Sequence, residues 1–459
     1  MKNIFLALIS TTISCLKINS DIPSMPFINP SGNEKYLSME SDYIFDQNIL
    51  HEYQLIIPEL SYQIINDDPT KEEYIEGALI FEGDTISPVG IRYKGSVGAF
   101  VGCTSGKNPL EPSGEKICKK LSMKVKIDWN GRKNKFYDLD KLQFHSQNND
   151  PSQLHERLGY WFFRSMGVAA PRSVHARLVI NGELSGLYAL TEQIDENFIR
   201  QNFDDTSGNL YKEVWPLTYK GIPSPKNSII KALKTNKGIN TNIDIFQSFA
   251  KTMSKASSSQ AKEVITSFMD LKKIMSYIAV DRAIRNDDGV FHWYEFGQGA
   301  SNHNYYWYEE PSKRKIHLIP WDLDNAFENL SSINEVTFIP DDFGEITNNC
   351  DSFPYGEFGF WQRSANCDAI INAWSSFNNE YIEKKKKLLN DHLDKAFLLV
   401  DEWKNQIESA TIEVNKADNN SLSPNKWLRH VDILKSQLYL IKLDLSRSIE
   451  DSKIYLKSE

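Results

Sequence analysis

The 459-residue chain carries 52 Lys and Arg against 61 Asp and Glu, a net charge of -9, with 41% hydrophobic and 12% aromatic residues. That composition excludes a disordered or fibrous chain, and the acidic balance argues against general affinity for nucleic acid or an anionic membrane surface. A chain of this length exceeds what one hydrophobic core usually supports, so one large two-lobed unit or two domains are expected.

Residues 1–20, MKNIFLALISTTISCLKINS, place Lys2 ahead of a short apolar run and then small residues. This is the layout of a secretory signal peptide, and the run is too short to span a bilayer, so no integral membrane segment is expected in the mature chain. Cys15 leaves lipid anchoring open as an alternative. A Pro/Ser/Gly/Asn-rich linker follows at 21–40. The stretches EYQLIIPEL and GALIFEGDTISPVGIRYKGSVGAF then predict short strands separated by turn signals. KLSMKVKIDW alternates, with Leu121, Met123, Val125 and Ile127 on one face and Lys120, Lys124 and Lys126 on the other. That pattern is a half-buried strand with a basic face. DPSQLHERLGYWFFRSMGV has helical spacing between a start at Asp150 and a stop at Gly167, and the Asn181-Gly182 pair marks a hairpin in SVHARLVINGELSGLYALTEQID. Residues 41–215 are thus expected to form a β-rich N-terminal lobe of α+β class, and 216–459 a helical C-terminal lobe. In the second lobe only HNYYWYEE and RKIHLIPWDLD have strand character, and NKADNNSLSPNK interrupts the last helical region.

Four cysteines remain beyond the leader: Cys103 and Cys118 flank one Gly/Pro/Ser-rich loop, and Cys350 and Cys367 flank another. Four cysteines allow three connectivities. Pairing within each loop is expected, because an oxidised, exported chain gains most order where regular structure is lacking.

Three polar clusters could carry chemistry: Asn286, Asp287 and Asp288 in RNDDGVFHWY; Asn302, His303 and Asn304 in SNHNYYWY; and Asp322 and Asp324 in PWDLD. In an extended chain, the alternation of Asp322, Leu323 and Asp324 points both acids to one side, which is costly without a cation or proton nearby. Carboxylate and amide oxygens suit a hard cation such as Mg²⁺, and no closely spaced His/Cys set suggests zinc. Arg92 and Lys94, with the lysines of the basic strand face, could supply phosphate counter-charge. Taken singly, these features also fit a turn, an exposed strand face and a helix cap. No serine or cysteine nucleophile signature is present.

The order RYKGS, KLSMKVKI, SQLHERLGYWFFRSMGV, INGELSGLYALTEQID, NLYK, then NDDG, HNYYWY and HLIPWDLDNAF, from about 85 to about 330, resembles the CotH family, the spore-coat-protein-H type of atypical protein kinase. The resemblance implies a divergent two-lobed protein-kinase-like fold, ATP and Mg²⁺ as cofactors, and a protein substrate with Ser/Thr acceptors. It implies that Arg92 lies in the phosphate-covering turn and that Lys124 or Lys126 is the strand lysine, with Lys126 paired to Glu156 and Arg157 adjacent on the same helix. Glu192 is implied at the hinge near adenine, Lys212 at the nucleotide, and Asp288 as the acid that orients or deprotonates the acceptor hydroxyl. Asn304 and Asp322 are implied as metal ligands, with Asp324 a supporting or alternative one. The H-R-D and D-F-G signatures are absent, and Asp288 lies 16 positions before Asn304 rather than the five of ordinary kinases. The expected function is that of an exported, ATP- and Mg²⁺-dependent protein kinase. Two alternatives are an inactive surface adhesion or ligand-binding protein on the same scaffold, and transfer of AMP in place of phosphate.

Overall fold

The computed structural model describes residues 40–458 except 109, 132–133, 239–240, 287, 297–298, 328–349, 356–359 and 419–420. The expected leader with Cys15, nearly all of the linker, and Asp287 lie outside the described residues.

Seven strands form a closed barrel: β1 (His51–Ile56), β2 (Ile75–Phe81), β3 (Asp84–Tyr93), β4 (Met123–Lys126), β5 (Lys141–His145), β6 (Ser173–Ile180) and β7 (Glu183–Thr191). Their order is β1-β2-β3-β4-β5-β7-β6, closed by a parallel β1–β6 pairing, while the other neighbours run antiparallel. Closure leaves no free strand edge. Met123 and Val125 on β4 point into the barrel core with Tyr53, Leu79, Val89, Ile91 and Phe144, as the alternation predicts. Both residues of the β6–β7 turn have positive φ, 51° at Asn181 and 84° at Gly182, as a tight hairpin requires. The first expected strand is shorter than its apolar pattern suggested. It ends at Ile56, and after Pro58 the chain forms the helix Glu59–Asp67.

The helix His155–Ser165 begins where the Asp150 carboxylate accepts the backbone N–H groups of Ser152 and His155, each at 2.8 Å. Its apolar residues Leu158, Tyr160, Phe162 and Phe163 leave the barrel and join the larger core of the second lobe. That lobe contains the helices Lys226–Ala232, Asp244–Met253, Ser258–Phe268, Leu271–Ala283, Ala369–Ser375, Asn378–Lys387, Leu393–Ala417 and Pro424–Ser458. The break between the last two falls in the polar stretch identified from sequence. Among the described strands are also β8 (Leu210–Lys212), β9 (Trp293–Phe296), β10 (Gly299–Ser301), β11 (Tyr305–Glu310), β12 (Lys315–Pro320), β13 (Phe353–Tyr355) and β14 (Phe360–Arg363). A three-stranded antiparallel sheet, β12-β11-β8, takes β8 away from the first lobe, where the division at 215 had put it. A second sheet, β10-β9-β14-β13, was not anticipated from these short, irregular stretches. The architecture is α+β, with a β-rich first lobe and a mainly helical second, and both expected disulfides are present, Cys103–Cys118 and Cys350–Cys367.

Candidate active site

The acidic half of the site is built on one end of the β12-β11-β8 sheet, where Tyr305 pairs with Pro320 and Tyr306 with Lys212. Just beyond these pairs the chain turns at three non-glycine residues with positive φ: Glu213 at 52°, Asn304 at 59° and Asp322 at 54°. Such conformations cost about 1–3 kcal/mol each and persist only where neighbours hold them. Here Asn304 N–H donates to Glu213 Oε1 at 3.3 Å, Trp321 N–H to the Asn304 carbonyl at 3.1 Å, and Asp322 N–H to the Tyr160 hydroxyl at 3.0 Å. The extended geometry expected for Asp322, Leu323 and Asp324 is therefore corrected. β12 stops at Pro320, and the left-handed turn at Asp322 breaks the two-residue alternation.

Between the acids, Leu323 is fully buried against the helix His155–Ser165 at Gly159. A Cβ on Gly159 would stand 2.9 Å from Leu323 Cδ1, so the glycine permits the approach that seats the acidic segment. Gly289 N–H donates to the Asn286 carbonyl at 3.3 Å, and the same segment delivers an acid. Asn286 Nδ2 donates to Asp281 Oδ2 at 2.9 Å, and Asp288 emerges to accept a 2.8 Å hydrogen bond from Asn304 Nδ2.

The basic half differs from the expected pairing. Lys126 does not meet Glu156: its ammonium lies 5.9 Å over the Trp129 ring, on the outward side of β4. Glu156 instead accepts from His145 Nδ1 at 2.7 Å and from Thr191 Oγ1 at 3.1 Å, and His145 Nε2 accepts from Lys94 Nζ at 2.6 Å. The lysine joined to the helix acid is thus Lys94, from the RYKGS turn after β3. Lys94 also stands 5.4 Å above the ring of Trp321, the neighbour of Asp322. That turn is pinned by Glu72, which bridges Arg92 at 2.6 Å and accepts Gly95 N–H at 2.7 Å, so Arg92 is engaged in the turn itself.

Lys124 bonds Gln193 Oε1 at 2.5 Å. Lys212 lies 5.9 Å over the Tyr306 ring and 3.8 Å from Glu213, on the acidic half's side. Glu192 is taken up by Arg172, at 2.6 Å and through the Arg172 N–H at 3.0 Å. Arg157 is likewise structural. It is buried over Trp403 at 4.2 Å and donates to Gln47, Gln406 and His175. The structure therefore gathers Lys94, Glu156, Lys212, Asp288, Asn304, Asp322 and Asp324, and assigns Arg157, Glu192 and Lys126 to other contacts. His145, Tyr160 and Glu213 complete the group without any motif that marked them.

Electrostatics bind the two halves together. Burial lowers Lys94 to about 8, against the opposing pull of Asp322 and Glu156. It lowers Lys124 to about 7, aided by Lys94, Lys141 and Arg92. Burial raises Asp288 to about 6, with Asp322 adding to the rise while His303, Tyr294 and Asn304 oppose it. Burial, then Glu156, raises Asp322 against His145, Lys94 and Lys212. Asp324 is pushed well up by burial and by Asp322, Glu156, Asp288 and Asp150. A cluster of carboxyls that resist ionisation together is short of positive charge, and hard oxygen donors of this kind fit a divalent cation such as Mg²⁺. Among the described residues, no three His, Cys, Asp or Glu side chains are grouped so as to hold a metal by themselves. Mg²⁺ commonly completes its shell with water and phosphate oxygens, so such a donor set suits a cation that arrives with a nucleotide.

The family model described as CotH kinase protein matches residues 91–438, most of the chain, and the chain belongs to that family. It is 22% identical over 200 residues to inner spore coat protein H of Bacillus subtilis (strain 168), covering 41% of this chain and 50% of that protein. The chain thus spans about half the length of this curated relative. Among solved structures it is similar to the Helicobacter pylori proinflammatory kinase CtkA, with 10% identity, 83% of this chain and 97% of that one covered, and a TM-score of 0.29. A likeness that low carries no inference about the site.

Proposed function

We propose that the chain is an exported atypical protein kinase that transfers the γ-phosphoryl group of Mg²⁺·ATP to Ser or Thr hydroxyls of secreted or surface proteins. The observation that carries this reading is the facing of Lys94, anchored to Glu156 through His145, against Asp288, Asn304 and Asp322. In phosphoryl transfer the protein chiefly positions groups and stabilises charge, which a sparse set can do. Lys94 and Lys212 hold the phosphates, Asn304 and Asp322 hold the cation with Asp324 in support, and Asp288 orients the acceptor hydroxyl and takes its proton. The bound Mg²⁺ supplies neutralisation of the phosphate charge. Export is supported by the two disulfides, which persist in oxidising compartments, and by the spore-coat relative. Among the described residues, no helix is long and apolar enough to cross a membrane.

Intact-mass spectrometry of the chain and a Ser/Thr-rich acceptor after incubation with ATP and Mg²⁺, beside Asp288→Ala, tests the proposal. Added phosphate that disappears in the variant supports it, and added AMP would replace it with adenylyl transfer. No modification and no ATP-dependent thermal shift would favour a binding protein on the same scaffold.

A further inference from the structure

Ordinary kinases join a strand lysine directly to a helix acid. Here an imidazole stands between them. An ammonium can only donate, so His145 Nε2 accepts from Lys94 at 2.6 Å. The remaining ring proton must then sit on Nδ1, where it donates to Glu156 Oε1 at 2.7 Å. With Nε2 accepting and Nδ1 donating, His145 satisfies both neighbours. Both partners of the lower bond are buried, His145 at 6% and Glu156 at 1% exposure, and Thr191 Oγ1 holds the same carboxylate oxygen at 3.1 Å. The ring meets Trp321 edge-on at 5.6 Å, which restricts its tilt.

The reach also has a structural reason. Lys94 comes from a turn at the mouth of the barrel, whereas Glu156 belongs to a helix behind it, and the imidazole spans the gap.

Resting on the nucleotide reading above, we propose that His145 is a positioning residue. It holds the Lys94 ammonium against the nucleotide phosphates, so that a three-membered Lys–His–Glu chain replaces the direct lysine–carboxylate pair. His145 touches no reacting atom. Its contribution is to keep a long, rotamer-rich lysine aimed over Trp321 toward Asp322.

The test compares the unsubstituted chain with His145→Phe, His145→Gln and Lys94→Met in two readouts. One is the rate at which an amine-acylating reagent modifies Lys94, followed by peptide mass spectrometry without nucleotide. The other is calorimetric titration with Mg²⁺·ATP. His145→Phe keeps a ring but removes the acceptor. It should change the Lys94 acylation rate and weaken ATP binding roughly ten- to hundredfold, the scale of one lost hydrogen bond to a charged group. His145→Gln keeps an acceptor for Lys94 and a donor for Glu156 and should restore most of both, which a purely packing role would not allow.

If His145→Phe leaves both readouts unchanged while Lys94→Met abolishes binding, the inference is overturned and the nucleotide reading stands. If no form binds Mg²⁺·ATP, the nucleotide reading falls, and the acylation arm decides the chain alone. A Lys94 rate indifferent to residue 145 overturns it, and a rate shifted by Phe and restored by Gln sustains the Lys–His–Glu chain.

Discussion

Gly159→Ala separates stability from function at the point where the acidic segment is seated. In the helix His155–Ser165, alanine gains about 1 kcal/mol over glycine in intrinsic propensity. Against that, the new Cβ would stand 2.9 Å from Leu323 Cδ1, 3.3 Å from Leu323 Cβ and 3.7 Å from Ile284 Cδ1. The methyl end can rotate away, but the Cβ contact requires the backbone at Leu323 to yield, and overpacking of this kind costs about 1–3 kcal/mol. The net loss of stability is about 0–2 kcal/mol, which in a chain of this size lowers Tm by only a few degrees. Function should suffer more than stability, because Leu323 sits between Asp322 and Asp324 and must yield by a few tenths of an ångström in a site whose rate depends on positioning.

Differential scanning fluorimetry and ATP-dependent phosphate incorporation, measured on the same preparations, check this. Combining Gly159→Ala with Leu323→Gly, which removes the Cβ contact as well, should relieve the crowding and recover part of the activity. A Gly159→Ala chain with raised Tm and unchanged incorporation would refute the argument that this close approach seats the acids.

Replacing Asp322 with Asn should abolish Mg²⁺-dependent thermal stabilisation by ATP, and unchanged stabilisation would remove Asp322 from the cation site. Lys94→Met should eliminate ATP binding while Lys126→Met, whose side chain lies over Trp129, leaves it nearly intact in the same titration. Asp288 has a folded-state value raised from 3.8 to about 6, so the stability it contributes is full below about pH 4 and is lost as the pH rises through 6, a difference of about 3 kcal/mol. Because the carboxylate is the form that accepts a proton, the rate should rise over that same window. A pH–rate profile with no limb near 6 would contradict the assignment. Replacing Cys103 and Cys118 together with Ser should cost about 3 kcal/mol, the loop-closure value for a bridge across 15 residues, measured by denaturant unfolding under non-reducing conditions.

Local patterns carried much of the fold. The alternation around Met123 and Val125, the Asn181-Gly182 turn, and the Asp150 start of the helix all had their chemistry written within a few residues. The acids and Asn304 were likewise legible, because polar clusters beside apolar strands are conspicuous. The pairing of Glu156 was not. Lys124 and Lys126 share an alternating face with each other, but the register across β3, β4 and β5, with Tyr93 beside Met123 and Met123 beside Phe144, decides that Lys94, just after β3, reaches His145 at the end of β5. The contacts of Arg157 were equally hidden, since Trp403, which it packs over, lies 246 positions later in the chain (403 minus 157). The geometry of Asp322 escaped because a positive φ at a non-glycine residue depends on what holds it, here Tyr160.

The central claim is that a nucleotide's phosphates sit between Lys94 and the acids. It is tested most directly with an ATP acyl-phosphate probe, which transfers its acyl group to a lysine beside the bound phosphates, followed by peptide mapping. Modification concentrated on Lys94, with Lys212 second, and suppressed by excess ATP with Mg²⁺ is the expected result. Modification of Lys126 instead, or labelling indifferent to ATP, would contradict the placement of the site.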